Sequence, residues 1–353
     1  MNANFRLGPA SRILVLLPHP DDESLATGGL LQMAADAGGK CRVIYLTDGE
    51  NNPWPQRAIE WRWKIKAADK ERWGMRRRLE AIRALSELCI SESSAVFWGY
   101  SDQGLTSLLM EASDEIPKRL IREFRDWQPT IFVTPAPSDL HPDHSASAIF
   151  ARLALAHLGA NVERPMHIEY RVHDRGPKRT YAYLTLALSK EEQKRKRSAI
   201  LCHTSQLRLR SNLTELVMPT EEFINPAEIN DLRNHPVRNV LLTGEEIELE
   251  LALSFHLGAC GRPCLYIASE SRVHPGNRLS ITLPRYGTAL VDVRDTVHDK
   301  VITQARFSGN RNHSRLCIPL TALGSADSIY TKLERRFGFF DEAGWCELSF
   351  HFA

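Results

Sequence analysis

The sequence predicts an α/β protein: a mostly parallel sheet flanked by helices, followed by a C-terminal all-β, sandwich-like module. Three observations predict it. Short β-branched runs alternate with longer amphipathic segments through the first half, polar clusters follow directly on two of those runs, and the pattern turns to short alternating segments after Asn212. Residues 12–17, 42–46, 95–98 and 130–134 read as buried strands, while 25–36, 75–88, 107–127 and 145–158 carry apolar residues at helical spacing. Further strands are expected at 166–172 and 181–188, then a charged helix from Lys190 to about Leu201. Beyond a loop-rich stretch at 212–243, seven short segments between 246 and 352 are separated by Gly, Pro, Asn or Asp, as in a small β module. The expected organisation is therefore a first domain over 1–211, a linker over 212–243 and a β-rich accessory domain over 244–353.

Composition narrows the function classes. At 353 residues and 43% hydrophobic content the chain can bury a substantial core, and 45 basic against 43 acidic residues leave a net charge of only +2. Bulk charge thus favours neither nucleic acid nor an anionic membrane, and any partner has to be argued from sites. The seven cysteines are scattered, and the close pair Cys260 and Cys264 has no second pair to complete a zinc knuckle, which fits reduced thiols and a cytoplasmic protein. The apolar run at 13–17 is too short for a signal-peptide core, and no stretch is long enough to span a bilayer.

The chemistry sits where two strands end. Pro18-His19-Pro20-Asp21-Asp22-Glu23 follows the first strand, and His141-Pro142-Asp143-His144 follows the fourth after a short Pro-rich turn. In an open α/β sheet, ligands bind at the carboxyl ends of strands, so the two loops are expected on one edge. A hydrolytic zinc site takes three imidazole or carboxylate ligands and keeps one position for water; two histidines and one aspartate satisfy that, and a neighbouring carboxylate is left to accept the proton of the water. The plainer reading is that Asp21, Asp22 and Glu23 cap the next helix and that His-Pro-Asp-His decorates a turn.

These motifs resemble those of the PIG-L/LmbE-type de-N-acetylases. The resemblance implies a Rossmann-like fold and hydrolysis of an acetamide on a glucosamine- or galactosamine-type unit. It implies His19, Asp22 and His144 as ligands of Zn2+, with Fe2+ as the alternative metal. Asp21 would be the general base, His141 would stabilise the oxyanion or protonate the leaving amine, and Asp143 would tune a histidine. Thr47-Asp48-Gly49-Glu50 resembles the family's Thr-x-Gly turn, and Arg77-Arg78-Leu79-Glu80 its Arg-x-x-Glu helix, which implies a substrate contact at Arg77. Trp98-Gly99-Tyr100-Ser101-Asp102 resembles the family's third loop, which puts Tyr100 and Asp102 among the substrate-binding candidates, and Lys196 to Ala199 with His203-Thr204-Ser205-Gln206 resembles its late segment. The resemblance covers about residues 10–207.

The chain departs from the family between Glu50 and Met75, where an insertion carries Trp54, Trp61, Trp63 and Trp73, four of the seven tryptophans. Aromatic faces stack on sugars and sit against amphiphilic partners, so Trp54 joins the substrate-binding candidates, while an amphipathic helix packed on the domain is the plainer reading. The basic run 194–197 follows acidic residues and lacks an aromatic stacking set, so no nucleic acid partner is expected. The expected partner is an N-acetylated amino-sugar substrate, with lipid-linked and oligosaccharide carriers and an oligomeric protein all compatible. Two rival functions remain open at this stage: a metal-dependent amidase or esterase on a non-sugar substrate, and a non-catalytic glycan-binding protein.

Overall fold

The computed structural model describes residues 5–174, 184–208, 217–226, 235–253, 262–271, 276–310, 313–334 and 339–348. The chain divides into two compact units, the first comprising Met1–Leu105, Ile121–Ala136 and Leu158–Glu228, the second Thr106–Leu120, Pro137–His157 and Ile229–Ala353.

The first unit is built on a five-stranded parallel sheet: β1 (Arg12–Leu17), β2 (Lys40–Thr47), β3 (Ala95–Tyr100), β4 (Ile131–Pro135) and β5 (Met166–Tyr170), in the order β3-β2-β1-β4-β5. The continuous apolar runs of β1 and β4 are what burial on both faces demands, and Val15 lies opposite Val43 on one side and Val133 on the other. Strand order reverses between β1 and β4, the point where open α/β sheets leave a crevice beyond their carboxyl ends. This is the Rossmann-like arrangement expected. Beside it, β6 (Leu184–Ala187) pairs with β7 (Thr220–Phe223), so part of the expected 212–243 linker is strand, and the described part of the expected strand at 181–188 is confined to β6.

The helices break where the local sequence breaks. The helix expected at 25–36 is two, α1 (Asp22–Ala26) and α2 (Gly28–Asp36), meeting at Thr27. The expected helix at 75–88 begins eight residues earlier, as α4 (Ala67–Glu87), with α3 (Pro53–Glu60) before it, so the tryptophan-rich insertion is a short helix, a turn and the first turns of a long helix. The single helix expected at 107–127 is α5 (Leu105–Met110) and α6 (Glu115–Trp127), separated at Ala112, whose φ of 52° no right-handed helix accommodates. Helix α8 (Lys190–Cys202) opens with a capping box between Ser189 and Glu192, followed by the short α9 (Thr204–Leu207).

The second unit contains α7 (Pro142–Ala156) and one antiparallel sheet of nine strands. These are β8 (Val237–Thr243), β9 (Glu246–Leu251), β10 (Cys264–Glu270), β11 (Arg278–Thr282), β12 (Gly287–Asp295), β13 (Lys300–Gly309), β14 (Ser314–Pro319), β15 (Ser328–Glu334) and β16 (Cys346–Glu347). Alternate residues, such as Ile247, Leu249 and Leu251 or Ala305 and Phe307, face one apolar cluster that draws on β8 through β15. One flat sheet could not gather them, so the sheet curls around its own apolar face. Among the described residues no helix is long and apolar enough to cross a membrane.

Candidate functional site

In the first unit the chain leaves β1 through Pro18 and enters α1 at Asp22, and Asp21 sits between with φ 135°. A non-glycine residue there carries backbone strain, which accumulates at functional sites. Asp21 occupies the N-cap position of α1, yet its side chain makes no capping hydrogen bond. Instead its carboxylate lies 3.2 Å from the guanidinium of Arg77. The two adjacent aspartates are thus put to different uses: Asp22 turns back, accepting the His19 backbone N–H at 3.0 Å and standing 3.6 Å from the His19 ring. The other nitrogen of that ring is 3.1 Å from Asp102, which arrives on the loop after β3.

Burial pushes the Asp21 carboxyl above its ordinary range, with Arg77 opposing and Asp22 reinforcing the shift. Asp102 goes the other way: burial disfavours its charge, but the hydrogen bond and charge of His19, with Arg77 beyond, outweigh burial and hold it low.

Glu23 receives the Asp21 backbone N–H, the Ser24 hydroxyl and, at 2.7 Å, the His203 ring. Burial opposes its ionisation, and the His203 charge and these hydrogen bonds overcome it, holding Glu23 low. His203 is raised because Glu23 more than offsets its own burial. The late His-Thr-Ser-Gln segment is fastened here too: Glu80 of α4 accepts the Ser205 N–H at 3.0 Å and the Ser205 hydroxyl at 2.6 Å.

Arg77 is buried and reaches three partners from α4. Its guanidinium donates to the Gly49 carbonyl at 3.0 Å and the Pro20 carbonyl at 2.5 Å, beside its contact with Asp21. Gly49 has φ 63°, and a Cβ there would fall 1.7 Å from the Arg77 guanidinium, so the Thr-x-Gly turn needs its glycine for space as well as conformation. Thr47 closes the same corner by donating its backbone N–H and its hydroxyl to the Pro18 carbonyl at 3.0 and 2.8 Å.

In the second unit His-Pro-Asp-His starts α7. Pro142 occupies the first turn, where a missing N–H costs nothing, and His141 is the N-cap, its Nδ1 accepting the Asp143 N–H at 3.2 Å. That bond leaves Nε2 as the protonated nitrogen of a neutral His141 ring. His144 Nδ1 lies 3.3 Å from Asp139, whose other oxygen accepts the His141 N–H at 2.9 Å. Asp139, Asp143 and His144 are fully buried, and the two histidine rings stand 5.0 Å apart. Asp139 was not singled out from the sequence; its signal is an aspartate two residues before the first motif histidine.

Each of these two residue sets, taken by itself, is made of the buried imidazole and carboxylate groups that zinc takes, and in each a carboxylate stands against a histidine ring. Of the substrate-binding candidates, Asp102 stands against His19, Tyr100 ends β3 within 6.3 Å of the Trp98 ring, Arg77 clamps the loops after β1 and β2, and Trp54 is exposed on α3.

Strand order and the two motif loops define an α/β protein of Rossmann-like topology with a buried His/Asp residue set. Over residues 14–155 the chain matches the model of the PIG-L family, described as GlcNAc-PI de-N-acetylase. Among characterised relatives, a 1D-myo-inositol 2-acetamido-2-deoxy-alpha-D-glucopyranoside deacetylase of Mycobacterium avium (strain 104) is 32% identical over 148 residues, covering 38% of this chain and 47% of the relative. The deacetylase of the same description from Rhodococcus erythropolis is 29% identical over 149 residues, covering 38% and 49%. The chain thus spans about half the length of the relatives it matches. Solved structures with distant likeness include the N,N'-diacetylchitobiose deacetylase of Pyrococcus horikoshii (21% identity, 60% of this chain and 82% of that one, TM-score 0.46). Another is the 4-carboxy-2-hydroxymuconate hydratase of Pseudomonas putida KT2440 (22%, 59% and 82%, 0.47). Likeness at this distance carries no weight for activity.

Proposed function

We propose that the protein is a metal-dependent hydrolase that removes the acetyl group from an N-acetylated amino sugar, of the N-acetylglucosamine or N-acetylgalactosamine type, within a glycoconjugate or its precursor. The family match and the deacetylase relatives support the bond that is cut. The observation that carries the reading is the divergent use of Asp21 and Asp22: one carboxylate folded back onto His19, the other uncommitted to its helix and set beside a buried cation.

In this reading His19, Asp22 and His144 hold the metal, because β1 and β4 are parallel neighbours and both motif loops leave from their carboxyl ends. Zinc held by such ligands supplies Lewis acidity toward a carbonyl oxygen and makes water a stronger acid. Asp21 takes the proton of the attacking water, with Arg77 fixing the direction of its carboxylate. His141, its Nδ1 occupied by the Asp143 N–H, keeps its Nε2 proton and donates it as a hydrogen bond to the developing oxyanion, and the proton that Asp21 took from the water passes to the departing amine. Asp143 anchors that ring through its backbone, and Asp139 orients His144. Residues 1–211 carry the reaction, with 244–353 as an accessory domain.

The test is acetate release from a panel of N-acetylglucosamine and N-acetylgalactosamine conjugates, with metal content measured in the wild type, His144→Ala and Asp21→Asn. The reading expects release by the wild type only, with metal reduced in His144→Ala and retained in Asp21→Asn. Undiminished turnover in Asp21→Asn would remove its role as base. A metal-loaded protein that cleaves non-sugar amides and spares the whole panel would replace the sugar reading with that of a general amidase.

A further inference from the structure

The tryptophan-rich insertion is not explained by the reaction, and its residues divide sharply. Trp73 is fully buried, whereas Trp54, Trp61 and Trp63 are 62%, 87% and 81% exposed. Single exposed aromatics are ordinary; three indoles on a ten-residue stretch are not. Between and beside them lie Arg57, Arg62, Lys64 and Lys66 against the single acid Glu60.

The stretch is a built surface. Trp61 ends α3 in the left-handed region, with φ 54°, a conformation that disfavours a bulky residue. The turn around it is pinned by a bond from Arg57 to the Trp63 carbonyl at 3.0 Å and by the Arg62 contact with Asp69, also 3.0 Å. The Arg57 guanidinium additionally covers the Trp54 ring at 5.0 Å. Lys64 and Lys66 are exposed and form no ion pair among the described residues. The stretch is also tied to the His19 loop system, since Asn51, two residues before α3, donates its N–H to Asp102 at 2.9 Å.

We propose that residues 54–66 form a docking surface for an anionic lipid bilayer, with the indoles of Trp61 and Trp63 entering the interface and Lys64 and Lys66 meeting the headgroups. Indoles concentrate at membrane interfaces, and basic residues beside them draw on negative lipid. Charge selects this occupant over the others. A neutral glycan would stack on the indoles and leave the cations without a role, and a second copy of the same face would set like charges against each other.

The experiment is sedimentation of the full chain with vesicles of phosphatidylcholine alone and of phosphatidylcholine mixed with phosphatidylglycerol, with tryptophan emission recorded alongside. The wild type is expected to sediment with the anionic vesicles, with emission shifted to the blue, and to bind the neutral ones far less. Lys64→Gln with Lys66→Gln lowers the affinity by roughly 25-fold, about fivefold per charge. Trp61→Ser with Trp63→Ser lowers it by at least about tenfold and abolishes the emission shift. Because these side chains are exposed, both double variants melt with the wild type, which separates lost docking from lost folding. Equal binding to neutral and anionic vesicles, no binding to either, or self-association that disappears in the tryptophan variant while lipid binding is absent would each overturn the proposal. No outcome depends on what the enzyme hydrolyses.

Discussion

Arg77 is the residue whose removal tests the architecture most directly. Replacing it with Met keeps most of the side-chain volume and removes the charge that joins the loops after β1 and β2. At 3.2 Å the Asp21 contact is worth about 5 kcal/mol of gross Coulomb energy at an effective dielectric constant of about 20, and desolvation cancels much of it. Truncation also strands the Pro20 and Gly49 carbonyls and leaves Asp21 without its counter-charge. Breaking a buried pair in this way costs about 3–5 kcal/mol, so we expect a loss near 4 kcal/mol. For a unit of this size that lowers Tm by roughly 8–16 °C. Arg77→Lys keeps the charge without the planar fork that reaches both carbonyls, and should fall between wild type and Met. The assay is thermal unfolding followed by circular dichroism, paired with acetate release. A clamp predicts lost stability and lowered kcat together. A stability change below about 1 kcal/mol in Arg77→Met, with a raised KM alone, would refute the clamp and restore the expectation that Arg77 contacts substrate.

Three further outcomes follow from the geometry. Asp139→Ala removes the carboxylate behind His144 and should weaken metal binding about 10–100-fold, measured by competition with a chelating dye; unchanged affinity would separate His144 from the metal. Glu221→Ala removes the acceptor of the Gly29 and Leu30 N–H groups at the start of α2 and strands the buried Lys196 ammonium 2.6 Å away, and should destabilise the protein by about 3–5 kcal/mol in urea titration. A loss under about 1 kcal/mol would show that Lys196 finds water. His235, buried with Nδ1 accepting from Val237 N–H, has its pKa pushed down to about 4 by that burial. The unfolded ring gains its proton below about 6.5 and the folded one resists until about 4, so this stability is full above the first value and lost as pH falls to the second. The wild type should therefore lose about 3 kcal/mol more than His235→Gln between pH 7 and 4, and parallel pH profiles would contradict this.

The sequence by itself determined the parallel sheet, most strands of the β module and the places where the polar motifs leave β1 and β4, but it read β8 as linker, left β15 unmarked and suggested a sandwich where one sheet curls. Those signals are local: a buried strand must be continuously apolar, an exposed-face strand must alternate, and a helix start shows its Pro and polar cap. The tertiary structure alone decided what the motif side chains face. Asp21 reads as a helix cap until α4 brings Arg77 to it across more than fifty residues, and Glu23 reads as a first-turn acid until the end of α8 delivers His203. It also divided the four tryptophans, burying Trp73 on the inner side of α4 and leaving the others outside, although all four look alike in sequence. The physical reason is range. Periodicity and capping are energies of neighbours along the chain, whereas the pairing of a buried charge is set by whichever distant segment arrives beside it.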